Sequence, residues 1–147
     1  EGVLIQDIER CIEVLEQLKS LEISISIDDF GTGYSSLNYL KRLPLDILKI
    51  DQSFVEECHR KEEDGEICAT IINLAKSLHL NTVAEGVEDL GQLNTLLDLG
   101  CEVFQGYYFY KPLVADTIAT LLLPTKNSSL SVSSGEPDIL LNGYSEG

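Results

Sequence analysis

Between residues 7 and 123 the chain alternates short apolar runs with stretches of helical periodicity, a pattern that leaves few folds open. From Asp7 to Ser20, Ile8, Cys11, Ile12, Leu15 and Leu18 recur at helical spacing, with Glu9, Arg10, Glu13, Glu16, Gln17 and Lys19 on the other face. Ile23-Ser24-Ile25-Ser26-Ile27-Asp28 then alternates with period two, which predicts a strand whose faces meet different neighbours, the small Ser side suiting a barrel interior. The pattern continues with a strand over 46–50, a helix over 64–78, a strand over 82–85, a helix over 89–99, a strand over 101–105 and a helix over 113–123. Strands separated by helices are expected to run parallel in one α/β sheet, closed into a barrel or doubly wound.

In a parallel barrel the carboxyl ends of the strands share one rim, where active sites are built. The four predicted strands end on, or next to, Asp28, Lys49, Glu85 and Gln105, each after apolar residues, so four different polar groups are expected to converge. Asp28 and Asp29 are adjacent carboxylates directly before Phe30-Gly31-Thr32-Gly33-Tyr34-Ser35-Ser36. Two anions confined at a strand end need a raised pKa or a counter-charge, and their hard oxygens point to Mg²⁺ or Mn²⁺. The glycine-rich loop lacks the lysine of a Walker A phosphate loop. Lys49, partly desolvated, is a point charge able to hold a phosphate or orient a water; the alternative is a salt bridge to Asp51, Asp28 or Glu85. Glu88 either joins Glu85 in the site or caps the helix that begins near Asp89. His59 and His79 are read as surface or packing residues.

Charge narrows the range of partners. Ten Lys and Arg stand against 25 Asp and Glu, a net charge of −15, which repels DNA, RNA and anionic lipid surfaces. A small phosphate ester bridged to carboxylates by divalent cations is compatible with it. Cys11, Cys58, Cys68 and Cys101 show no metal-cage or redox spacing and are expected to be reduced core or surface residues. No apolar run approaches the roughly 18 residues that span a bilayer, and no signal peptide opens the chain, so a cytoplasmic setting without membrane contact is expected of this segment. Residues 124–147 turn to Ser, Asn, Gly, Pro and acidic residues and are expected to be a disordered tail beyond a domain of residues 1–123.

Taken in order, Asp28-Asp29-Phe30-Gly31-Thr32-Gly33-Tyr34-Ser35-Ser36-Leu37, Leu48-Lys49-Ile50-Asp51-Gln52-Ser53-Phe54, Val83-Ala84-Glu85-Gly86-Val87-Glu88 and Gln105-Gly106-Tyr107 with Lys111-Pro112 strongly resemble the EAL-domain family. The resemblance implies a TIM-like (β/α)₈ barrel that hydrolyses the bacterial second messenger cyclic di-GMP to linear pGpG with Mg²⁺ or Mn²⁺. It implies metal ligation by Glu1, Asp28, Asp29 and Glu85, and contact of Lys49 with the attacking water. Asp51, Glu88 and Gln105 match positions tied to the substrate or to support of the metal site. The loop of Gly31, Thr32, Gly33, Tyr34, Ser35 and Ser36 resembles the segment that couples homodimerisation to metal binding. The family's Glu-Ala-Leu motif and a downstream Asn ligand are not found in these residues. A whole barrel takes typically about 250 residues, so the chain is expected to be the C-terminal part of an incomplete barrel, its first strands and helices missing. Glu22 stands where the family often has Gly at a helix end, a cost in stability if that position needs a positive φ. The alternative to an enzyme is a degenerate domain of this family that binds cyclic di-GMP or a protein partner without turnover.

Overall fold

The computed structural model describes residues 2–32 and 37–122. The chain divides into two compact units, Glu1–Pro112 and Leu113–Gly147. The expected tail at 124–147 lies outside the described residues, as do Glu1, Gly33, Tyr34, Ser35 and Ser36.

The first unit contains helix α1 (Gly2–Lys19), strand β1 (Ser26–Phe30), helix α2 (Leu37–Leu40), strand β2 (Ile47–Ile50), helices α3 (Gln52–Val55) and α4 (Glu62–Ser77), strand β3 (Asn81–Glu85), helix α5 (Leu90–Leu99) and strand β4 (Val103–Gln105). The second unit contributes helix α6 (Ala115–Leu122) among its described residues. All strand pairs are parallel, in the spatial order β1-β2-β3-β4. A doubly wound sheet reverses its strand order at a switch point. This order never reverses, which decides for part of a barrel.

Local sequence chemistry accounts for the helices. On α4, Cys68, Ile71, Ile72 and Ala75 fall at i, i+3, i+4 and i+7 and are buried, while Glu62, Glu63 and Asp64 in the first turn and Lys76 in the last complement the helix dipole. Helix α5 opens with a capping box, the Asp89 carboxylate accepting from the Gln92 amide while the Gln92 side chain accepts from the Asp89 amide, and closes on Gly100 at φ 85°. Asp89, not Glu88, is therefore the cap. Helices α2 and α3 are single turns, too short to leave a periodic signal in the sequence.

The first strand begins at Ser26 rather than Ile23, because residues before it are tied instead to Asp46. The Ile25 carbonyl accepts from the amides of Asp46 and Ile47, and the Ile25 amide donates to Asp46 Oδ2 at 2.7 Å. Asp46 Oδ1 lies 2.5 Å from Lys19 Nζ, so one carboxylate ties the end of α1 to the entrances of β1 and β2. The lysine holds the Asp46 carboxyl below its ordinary value of 3.8, with help from the Ile25 amide. Glu22, in the turn after α1, has φ 60°, the left-handed conformation anticipated there.

Alternation along the strands separates two faces. Leu48, Ile50, Thr82 and Ala84 are buried under α3, α4 and α5 with Ile72, Leu93, Leu96 and Val55. Cys58, Cys68 and Cys101 belong to this core, and Cys11 is exposed. The opposite parity, Ser26, Lys49, Val83, Glu85, Val103 and Gln105, is half-buried or exposed on the face away from these helices. No described helix is long and apolar enough to cross a membrane.

Candidate metal and phosphoester site

Successive strand residues point to opposite faces, so Asp28 and Asp29 in a regular strand would not share a site. A bulge solves the problem. Ser26 pairs with Ile47 and Ile27 with Leu48, but the next pair is Phe30 with Ile50, leaving Asp28 and Asp29 together opposite Lys49. Asp29 takes φ 50°, a left-handed conformation that an aspartate tolerates better than most residues and that commonly accompanies functional sites. Its carbonyl accepts from the Thr32 hydroxyl at 3.0 Å, and Gly31 (φ 106°) lets the chain cross the Phe54 ring, where a Cβ would lie 2.6 Å from Phe54 Cε2.

Lys49 stands on central strand β2, in register with Val83, so its side chain extends along the same face toward Glu85 two residues on. Its Nζ lies 2.5 Å from Glu85 Oε1 and 2.9 Å from Asp28 Oδ1. Side-chain exposure falls from 61% at Asp28 to 21% at Lys49 and 17% at Glu85. Glu85 and then Asp28 raise the Lys49 pKa above 10.5, and Lys49 is the main cause holding Asp28 below 3.8. Carboxylate oxygens of Asp28, Asp29 and Glu85 all lie within 4.8 Å of one another. Three hard oxygen donors at this separation fit a hard divalent cation.

The other expected site residues divide. Gln105 lies in register with Glu85 on the neighbouring strand, with its side chain exposed on the same rim. Asp51 is the N-cap of α3, its Oδ1 accepting from the Ser53 amide at 2.9 Å and from the Ser53 hydroxyl. That hydroxyl is the main cause of its lowered pKa, so Asp51 caps a helix beside the cluster. Glu88 is exposed and is not brought into the group formed by Asp28, Asp29 and Glu85. Glu1, Gly33, Tyr34, Ser35 and Ser36 fall outside the described residues.

A backbone clip not anticipated from the sequence secures Glu85. The Val87 amide donates to the Gln105 carbonyl at 3.0 Å, and the Tyr108 amide donates to the Val87 carbonyl at 2.9 Å. A Cβ on Gly106 would sit 2.0 Å from the Val87 carbonyl oxygen, and one on Gly86 (φ 71°) would sit 2.6 Å from Gln52 Cβ. The glycines after Glu85 and Gln105 were the legible signal; what they accommodate is a close approach of two loops.

The comparisons with known proteins give the family. A family model described as "EAL domain" matches residues 1–112. Cyclic di-GMP phosphodiesterase NbdA of Pseudomonas aeruginosa is 52% identical over 113 residues, which cover 77% of this chain and 14% of that protein. The solved "PaMucR Phosphodiesterase, c-di-GMP complex" is 46% identical with a TM-score of 0.72, covering 76% of this chain and 45% of its own. The EAL domain of Mycobacterium smegmatis DcpA is 45% identical with a TM-score of 0.76, covering 83% of this chain and 55% of its own. The chain thus spans well under two thirds of the length of each.

Proposed function

The chain belongs to the EAL-domain family, and on that premise we propose that the whole protein hydrolyses cyclic di-GMP to linear pGpG with Mg²⁺ or Mn²⁺. The observation that carries this reading is the convergence of Asp28, Asp29 and Glu85 around Lys49 at the carboxyl ends of adjacent strands.

Asp28, Asp29 and Glu85 are the residues that would hold the divalent ion, with Glu1 an additional ligand by motif position. Bound there, such an ion supplies charge neutralisation at the phosphate and lowers the pKa of a water. Asp28, held ionised by Lys49, keeps the cluster anionic at neutral pH. The raised pKa of Lys49 makes it a permanent cation, a donor to a water or a phosphate oxygen rather than a base. Placed on a strand fixed on both sides, it is pre-oriented for charge that develops on the phosphorus oxygens during in-line attack. Water oxygen bonds to phosphorus, the bond to one 3′ oxygen breaks, and that oxygen leaves protonated. Gln105, Glu88 and Asp51 are assigned by motif position to the substrate or to support of the metal site. The loop that begins at Gly31 is the dimerisation segment.

The test is incubation of the whole protein with cyclic di-GMP and Mg²⁺ or Mn²⁺, with chromatographic detection of pGpG and calorimetric binding in parallel. Appearance of pGpG is the expected result. Binding without product overturns the hydrolase in favour of a receptor, and absence of both signals overturns the ligand as well.

A further inference from the structure

Lys49 already pairs with two of the three carboxylates that a divalent ion needs. Its Nζ touches Glu85 Oε1 and Asp28 Oδ1, and both residues belong to the three whose carboxylate oxygens cluster within 4.8 Å. An ammonium and a divalent cation repel, and each carboxylate oxygen facing the ammonium has one lone pair engaged by it. The two partners are not equally free to move. Glu85 is largely covered and its backbone is clipped through Val87 to the β4 rim, whereas Asp28 is well exposed on the bulged edge of β1.

We propose that Lys49 is the internal counter-ion of this site: it holds Asp28 and Glu85 together when no divalent ion is bound, and it must release Asp28 for the ion to enter. The proposal rests on the metal assignment made above and adds a threshold to it. A site whose binding-competent arrangement is only fractionally populated shows an affinity reduced by that fraction. Lys49 therefore sets the divalent-ion concentration at which the site loads, apart from anything it does during hydrolysis.

The experiment measures Mn²⁺ binding to the whole protein without substrate, from loss of the free-ion EPR signal, for wild type, Lys49→Gln and Lys49→Arg. Lys49→Gln is expected to bind Mn²⁺ about tenfold more tightly. Lys49→Arg, which keeps the charge, should stay close to wild type. In EDTA the Lys49→Gln protein should melt below wild type, and saturating Mn²⁺ should close that gap. A second measurement needs no variant: acylation of Lys49 in the wild type, followed by mass spectrometry, should quicken several-fold on adding Mn²⁺ as the side chain leaves Asp28. Mn²⁺ binding that Lys49→Gln leaves unchanged or weakens, or Lys49 acylation indifferent to Mn²⁺, overturns the counter-ion proposal alone. Failure of folded wild type and Lys49→Gln alike to bind Mn²⁺ overturns the metal assignment beneath it.

Discussion

On the helix-covered face of the sheet, Leu48, Ile50 and Ala84 are completely buried, while one residue along the same strands Lys49 and Glu85 stand on the uncovered face with their charges paired. The backbone hydrogen bonds are common to both faces; only side-chain parity differs. The covered face gains its stability from apolar burial, which tolerates no loss of volume. The other face keeps three carboxylates beside one lysine, an arrangement that contributes little to stability once solvent screening is counted and to which the proposed function assigns the chemistry.

The sharpest way to break that comparison is to exchange the consequences of mutation between the faces. Glu85→Ala should lower hydrolysis by the whole protein at least about a thousandfold, roughly 4 kcal/mol of barrier, with the melting temperature nearly unchanged. Retention of turnover by that variant would remove Glu85 from the site. Leu48→Ala, one position from Lys49, should do the reverse: about 2–5 kcal/mol lost in denaturant unfolding, with turnover per folded molecule intact.

Acid titration sharpens the contrast further. Asp46, Asp28 and Asp89 all have folded pKa values below the ordinary 3.8, so the stability they contribute is present above about pH 4 and is lost as pH falls through their folded values. Lys49 contributes in the opposite sense, fully below its ordinary 10.5 and lost as pH rises through its higher folded value. Asp46→Asn should therefore cost roughly 0.5–1 kcal/mol at pH 7 and flatten the acid limb of a stability profile. A stability equal to wild type at pH 7, or a deficit that does not shrink as pH falls below 4, would deny Asp46 its clamp between α1 and the sheet. The smallest effect is expected at Glu22→Gly, far from both faces. Relief of a left-handed φ of 60° should exceed the added chain entropy of glycine and raise stability by about 0.5 kcal/mol.

Particular residues show how far the sequence could be read. Periodicity placed α4 and α5 within about two residues of their observed bounds, because buried positions 68, 71, 72 and 75 recur at the helical repeat. Strand β1 was displaced, because Ile23 and Ile25 alternate as a strand does while the ladder to β2 begins only at Ser26. Asp51 was read as a site residue, and its cap on Ser53 went unseen because α3 is a single turn. Glu88 was weighed as a cap, a role that the capping box of Asp89 and Gln92 takes.

The order of strands and helices, the parity that puts aliphatic residues on one face, and the polar residue at or near the carboxyl end of each strand were all determined by the sequence alone, since local periodicity encodes them. The meeting of Asp28 with Asp29 on one side of the sheet was decided by tertiary structure, through a bulge opposite Lys49 and a left-handed Asp29. So were the pairing of Lys49 with Glu85 and the passage of Val87 against Gly106. Register, bulges and loop contacts arise from hydrogen bonds between segments distant in the chain, and no local pattern of residues records them.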